Sequence, residues 1–453
     1  MSLKLYRLTQ IVLFYLPVVQ ICLIFSSVIS FVCTSEVYAQ SEVYLSVRAD
    51  GSGLIGIGIE GFTSSFGQNN KPSVESFLKE DLDVTGIFQI KTLSDSLSNL
   101  EGDLFGQWKS AGAKCLLMGE ESNNGNSLKI KLFDLNTAKL LLHEEYRIDS
   151  KRPWYTAHII VDDMIEVFTG LRGSMASQIA FIRRVRESNE IFLIDADGRR
   201  PRQLTFSKTL KMSPTWSLDG NKIAYSVLEE ADWLIVIIDI HTGQTIDISR
   251  WSGLNTTPAL SPVEPDLVAF TSSREGNAEI YTCRTNGKEL RRLTNHPRID
   301  SSPSWSPDGK KIVFQSDRTG RPLIYVMNRD GTKCNRLTSS INAYEDSPCW
   351  SPRGDRIAFV VMGDYGLFDV ATASPTGDDV IILTYGRASN EDPQWSPDGL
   401  RIVFTSTRSG NKRLYIMNKD GSNVRPLTGD DNSFLPAWAS SESGNNVRIS
   451  SRR

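Results

Sequence analysis

Ser302-Pro303-Ser304-Trp305-Ser306-Pro307-Asp308-Gly309 (SPSWSPDG) is the stretch on which the fold turns, because it recurs. Near-copies stand at 213–220 (SPTWSLDG), 347–354 (SPCWSPRG) and 392–399 (DPQWSPDG). TPALSPVEP (257–265) keeps the frame with Leu260 in place of Trp, and LPAWAS (435–440) is a truncated sixth copy. The key positions Trp216, Leu260, Trp305, Trp350, Trp395 and Trp438 are spaced by 44, 45, 45, 45 and 43 residues. A fixed period of this length marks a repeat architecture.

Four further features share the period. Apolar runs recur as IAFI (179), IAYS (223), VAFT (268), IVFQ (312), IAFV (357) and IVFT (402). A third run follows each: EIFLID, LIVIID, EIYTCR, LIYVMN, GLFDVA and RLYIMN. A turn then carries Gly198, Gly243, Gly287, Gly331, Gly377 or Gly421, where a tight hairpin needs φ > 0. A short fourth run ends most units: RQLT, IDIS, RRLT, NRLT, IILT and RPLT. Four short strands per repeat predict a six-bladed β-propeller. The first unit (Gln178 to Thr205) lacks a first strand, and LPAWAS supplies only a first strand. The C-terminal strand is therefore expected to complete blade one and close the ring without a free edge.

Burying one Trp removes about 150–250 Å² from water, worth roughly 4–6 kcal/mol at about 25 cal/mol per Å². Equivalent tryptophans in successive repeats imply packing between blades, not repeated active sites. The Asp-Gly of SPDG is turn chemistry.

Outward from the repeat, residues 41–170 read as a smaller α/β domain. Glu42 to Val47 and Leu54 to Ile59 alternate as strands. Lys71 to Asp83 places Val74, Phe77, Leu78 and Leu82 on one helical face. Gly86-Ile87-Phe88 begins a strand, Leu93 to Gly112 is partly helical, and Lys114 to Gly119 is an apolar strand. Leu128 to Asp134 and Lys139 to Ile148 form a hairpin about Asn136-Thr137, and Trp154 to Phe168 is an amphipathic helix ending at Gly170. The expected organisation is an export signal (1–39), an N-terminal α/β domain (40–170), a linker (171–177), the propeller (178–440) and a tail (441–453).

The first 39 residues read as that signal. Lys4 and Arg7 precede an almost wholly apolar stretch (11–33), and Val37-Tyr38-Ala39 offers a cleavage site. The stretch is long enough to span a bilayer, so an uncleaved anchor is the alternative. Cys33 lacks the small preceding residue of a lipidation site. Four cysteines remain in an exported chain: Cys115, Cys283, Cys334 and Cys349. Each lies in or beside an apolar strand and reads as a buried thiol; oxidation would allow three pairings.

Composition narrows function. Lys+Arg total 50 against 53 Asp+Glu, so no basic excess exists to grip nucleic acid. Gly51-Ser52-Gly53-Leu54-Ile55-Gly56 matches G-x-G-x-x-G, but a strand pattern follows where a dinucleotide site needs a helix. His158 with Asp162 and Asp163 has helical spacing, with no evident third metal ligand; a packed helix face is the plainer reading. No G-x-S-x-G elbow accompanies the propeller, as a serine peptidase would require. First strands carry Thr, Ser and Cys around the Trp, not a repeated ligand set for a channel metal. The expectation is a protein without enzymatic activity, cofactor or metal; a channel-site metal-dependent hydrolase is the remote alternative.

The 4→1 loops ring one mouth of the channel. They place Asn255, Thr257, Ser301, Ser302, Asp346, Ser347, Glu391 and Asp392 where a protein partner could bind. The N-terminal segment Glu42, Val43, Tyr44, Leu45, Ser46 and Val47 could add a strand to a partner's sheet edge.

The whole resembles the TolB family, whose propellers carry WD40-like (PD40) repeats. KRPWYTAHIIVDDMIEVFTGLRGSMASQIAFI (151–182) is similar to that family's passage from last helix to first blade, with Ala157-His158, Asp162 or Asp163, and Thr169-Gly170 matching. The resemblance implies a periplasmic, non-enzymatic adaptor of the Tol-Pal envelope system. It implies that the propeller binds the lipoprotein Pal and the N-terminal segment binds TolA, in support of outer-membrane constriction at division and envelope integrity. Membrane association would then be peripheral, through these partners. The loops around Thr257 and Ser301-Ser302 match the family's Pal-contacting loops in position, whereas Leu254 stands where the family often has a polar residue.

Overall fold

The computed structural model of the chain describes residues 53–62, 73–93, 103–122, 125–338, 344–440 and 447–449. The signal expected at 1–39, the strand expected at 42–47 and most of the tail lie outside the described residues. Three α-helices occur among the described residues: α1 (Val74–Thr85), α2 (Leu104–Ser110) and α3 (Pro153–Thr169). The chain divides into two compact units. Helix α1, residues 146–162 and everything from 172 onward form one; most other described residues before 172 form the second. This division runs through the 40–170 segment.

The smaller unit is built on a five-stranded sheet. Strands β1 (Ile55–Glu60), β2 (Phe88–Ile90), β3 (Cys115–Glu121), β4 (Ser127–Asp134) and β5 (Leu140–Arg147) lie in the order β2-β1-β3-β4-β5. Strand β1 pairs parallel with β2 and β3, and β3–β4 is antiparallel. The last glycine of the motif that imitates a nucleotide loop, Gly56, serves packing here, as does Gly58 just beyond it. A Cβ on Gly56 would stand 2.5 Å from the Gly112 carbonyl, and one on Gly58 2.4 Å from the Trp108 ring of α2. Trp108 then donates its indole N–H to Glu60 at 3.1 Å.

In the larger unit the repeats form six four-stranded antiparallel sheets. Blade 1 combines Gln178–Val185, Ser188–Asp195 and Arg202–Gln203 with the C-terminal strand Ser433–Trp438. The closing strand pairs antiparallel with Gln178–Val185, Ser433 opposite Arg183 and Trp438 opposite Ile179. The missing strand of the first repeat and the surplus strand of the last thus meet, as the repeat register predicts. The first strands of blades 2 to 6 are Lys211–Trp216, Asn255–Leu260, Asp300–Trp305, Glu345–Trp350 and Asn390–Trp395.

The repeated tryptophans fill the seams between blades. Trp305 packs with Ala269 and Ile280 of blade 3 as well as Ile312 and Phe314 of its own blade. Its indole N–H donates to the Ala259 carbonyl of blade 3 at 2.9 Å. Trp216 and Trp395 reach back to Ala437 and Cys349 in the same way, at 3.0 and 3.2 Å. The hydroxyl closing the fourth run has an equally regular task in five blades; in blade 4 the Ile324 N–H donates to Glu345 instead. Thr205, Ser249, Thr294, Thr384 and Thr428 accept the backbone N–H of Ile191, Ile235, Ile280, Val370 and Leu414 on the third strand. Fourth strands of two or three residues have few ladder bonds, so this side-chain bond supplements the pairing.

The four cysteines are unpaired thiols, Cys115, Cys283 and Cys349 being buried and Cys334 half-buried. Burial pushes the Cys115 and Cys283 thiols up to about 12. No helix among the described residues is long and apolar enough to cross a membrane.

Candidate partner-binding face

Each first strand carries a β-bulge where it faces the channel, and the bulges share one backbone state. Ser213, Thr257, Ser302, Ser347, Asp392 and Leu435 have φ of 51°, 49°, 55°, 50°, 54° and 51°. All six precede a proline. A left-handed conformation costs a non-glycine residue about 1–2 kcal/mol, so six in register require support from their surroundings. At three of the six, hydroxyls of the preceding blade give it. Ser226 accepts the Thr257 N–H at 3.2 Å, Thr271 the Ser302 N–H at 3.1 Å, and Thr405 the Leu435 N–H at 3.2 Å. The bulges surround a polar channel cavity of about 150 Å³, walled by these residues and five of the six prolines.

Most of the residues expected at the mouth belong to this ring or adjoin it. Thr257 shares a 2.7 Å hydrogen bond with Thr271, and Ser301 donates to Gln315 at 2.7 Å. Two expectations need correction. These residues lie within the first strands and not in the loops before them, because the bulge lets a strand present consecutive polar residues to the channel. Asn255 is not at the mouth at all. It is fully buried, donates to the carbonyls of Trp233 and Trp251 at 3.0 and 2.8 Å, and accepts from Ser272 at 2.8 Å. Sequence reasoning missed Ser213 and Leu435, which complete the ring; their signal was the proline after each. It also missed Lys412 and Tyr344.

The mouth is electrostatically lopsided. Blades 5 and 6 contribute Asp346, Glu391 and Asp392, all half-buried. Glu391 is paired with Lys412 at 2.8 Å. Asp392 accepts from Thr405 at 3.0 Å. Burial, reinforced by the Glu391 charge, pushes the Asp392 carboxyl up to about 6 against the pull of Thr405 and Lys412. Burial also raises Asp346, with the Glu391 charge adding to it, against hydrogen bonds from the Ser347 N–H and the Tyr344 hydroxyl at 2.5 and 3.2 Å. The opposite wall offers Ser213, Thr257 and Ser302. Such a funnel favours a partner that brings positive charge to the acidic side, which would draw these carboxyls into the ionised form.

His158 does not group with Asp162 and Asp163. It faces Asp81 of α1 at 2.6 Å and Asp197 of the blade 1 turn at 3.7 Å. These three could converge on a metal by distance alone. Arg200 already occupies the position, with Nη2 3.2 Å from His158 Nε2 and 2.5 Å from Asp197. Burial works against the imidazolium, but the Asp81 hydrogen bond and the Asp81 and Asp197 charges outweigh it and raise His158. Asp162 instead accepts the N–H groups of Met175 and Ala176 at 2.6 and 3.0 Å, fixing the entry to blade 1.

Known proteins share this architecture. The family model described as TolB beta propeller domain (PD40) matches residues 165–444, more than half the chain. A protein named "Protein TolB homolog" from Chlorobium luteolum is 32% identical over 408 residues, 87% of this chain and 92% of that one. The "Tol-Pal system protein TolB" of Bordetella pertussis is 28% identical over 387 residues, 84% of this chain and 87% of that one. Among solved structures, TolB from Acinetobacter baumannii superposes with a TM-score of 0.75 at 27% identity, covering 85% of this chain and 97% of the other.

Proposed function

The chain belongs to the TolB propeller family, and from that premise we propose that it is a periplasmic adaptor of a Tol-Pal system, working by protein–protein contact and not by catalysis. Its propeller mouth receives Pal, and its N-terminal segment (42–47) pairs with TolA. The two contacts together support outer-membrane constriction at division and envelope integrity. The observation that carries this reading is the channel mouth. Six strained bulges are held in register around a polar funnel, with Asp346, Glu391 and Asp392 gathered on one side. Thr257, Ser301, Ser302 and Ser347 line the remainder of the contact, and Asn255 supports it from below the surface.

Titration calorimetry of the protein with the periplasmic domain of its cognate Pal tests the first contact. The reading expects saturable one-to-one binding; no heat at high micromolar concentration would refute it. The TolA contact rests on strand addition by 42–47. Deleting residues 40–47 should abolish TolA binding while leaving the propeller's thermal transition in place. Retained TolA affinity would show that the segment is not the contact.

A further inference from the structure

Remote from the mouth in sequence, Arg152 and Trp154, the Asp195–Arg202 turn of blade 1 and the Ile240-His241 turn of blade 2 line a second cavity, of about 390 Å³. That is the size of a small-molecule site. Three guanidinium groups, Arg152, Arg200 and Arg202, line it together with the His241 imidazole and the rings of Trp154 and Tyr155. The walls are pre-set. Arg200 lies over the Trp154 ring at 4.7 Å and Arg152 over the Tyr155 ring at 5.1 Å. Trp154 is itself fixed edge-on against Phe77 of α1, with centroids 6.2 Å apart.

The carboxylates at this cavity are already committed. Asp149 accepts from Arg152 Nε at 2.9 Å. Asp195 accepts from Arg200 Nε at 2.6 Å and from Gln178 at 2.9 Å. Asp197 accepts from Arg200 Nη2 at 2.5 Å. Arg202 differs. Its guanidinium forms no ion pair or side-chain hydrogen bond among the described residues, and Asp195 is the charge it feels. Arg152 keeps both terminal nitrogens and Arg200 keeps Nη1 beyond these pairs. Planar guanidinium donors over aromatic faces suit the paired oxygens of a carboxylate or phosphate.

We propose that this cavity is a binding site for a small oxyanion, carrying phosphate or carboxylate groups, with Arg202 as its principal anchor and Arg152 and Arg200 as flanking donors. None of the residues lining this cavity lines the channel mouth.

The test is titration calorimetry of the full protein with inorganic phosphate and, separately, with citrate. Saturable one-site binding of either supports the proposal, and the stronger of the two identifies the group the site reads. Arg202→Gln should weaken that binding at least about tenfold, the loss of one charge-assisted hydrogen bond. Arg298→Gln, an exposed arginine of the blade 3 to blade 4 loop that does not line the cavity, should leave it unchanged. Arg202 is exposed on a two-residue edge strand, so its variant should keep the parent's circular dichroism and melting temperature. Absence of saturable binding by both anions would overturn the proposal. So would binding that Arg202→Gln leaves intact, or that Arg298→Gln weakens equally.

Discussion

Trp305 and Trp350 occupy equivalent positions in neighbouring blades, yet they differ in one atom's fate. The Trp305 indole N–H meets the Ala259 carbonyl, whereas the buried Trp350 N–H has no partner among the described residues. Phe substitution shrinks both side chains alike, so the difference between the two variants isolates the hydrogen bond. Trp305→Phe should cost about 1 kcal/mol more than Trp350→Phe in urea unfolding. At the mouth, Asp392 holds its proton up to about pH 6 because of burial and Glu391, against 3.8 for a free carboxyl. A raised carboxyl binds more protons in the folded state than in the unfolded one. Its ionisation therefore weakens folding as pH rises through the folded value, and no penalty exists below the unfolded value. Asp392→Asn should raise stability at pH 7.5, and the gain should vanish near pH 4. Asn255 shows why such detail escapes the sequence. A polar residue that satisfies two buried carbonyls and one that faces water are written with the same letter.

Elements were the most legible scale, for a physical reason. Period-two alternation and a glycine turn repeated six times leave little freedom in where strands begin and end, and the missing and surplus strands dictate closure. The fourth-run hydroxyls were visible as a recurring letter, but their purpose emerged only with the third strand beside them. Helix α1 was legible as a helix from its apolar face, but it runs Val74–Thr85 where Lys71 to Asp83 was expected, its ends being set by the Ser73 cap and by Gly86 at φ 65°. Its attachment was not legible, because it rests on pairs distant in sequence: Asp81 with His158, Glu80 with Arg199, and the Val84 carbonyl with Arg425. That attachment carries a pH signature. Burial raises Asp81 despite the His158 hydrogen bond and charge, and His158 is raised above its ordinary 6.5. Both shifts mean that the folded state holds more protons. The His158 contribution is complete below about pH 6.5 and is lost as pH rises through its folded value. Urea midpoints should fall between pH 6 and pH 8.5 in the parent protein, and His158→Gln should flatten that fall. An equally steep fall in the variant would assign the effect to other groups.

At the scale of the whole molecule, two properties matter to the proposed role. A closed six-bladed ring leaves as outer edges only its fourth strands, two or three residues long, so contact is directed to the poles and the outer rim. The bulges place strain and converging polar groups at one pole, the kind of feature that persists when function needs it. The sequence announced that pole through its repeat, but not the acidic sector. Asp346 lies in blade 5 while Glu391 and Asp392 lie in blade 6, and their shared electrostatics exist only once the ring brings the blades together. Association of a cationic partner with such a sector should be steered electrostatically and weakened by salt.

The affinity of Pal for variants with paired charge reversals at one pole or the other decides which face Pal uses. Glu391→Lys with Asp392→Lys alters the mouth. Asp378→Lys with Asp379→Lys, in a hairpin turn at the opposite end of the blade 5 strands, serves as the control. Binding by the mouth predicts that the first pair weakens Pal binding by about tenfold or more, as loss of interfacial charge pairs does, while the second leaves it unchanged. Equal affinity of the mouth variant and the parent protein would contradict the assignment of this face.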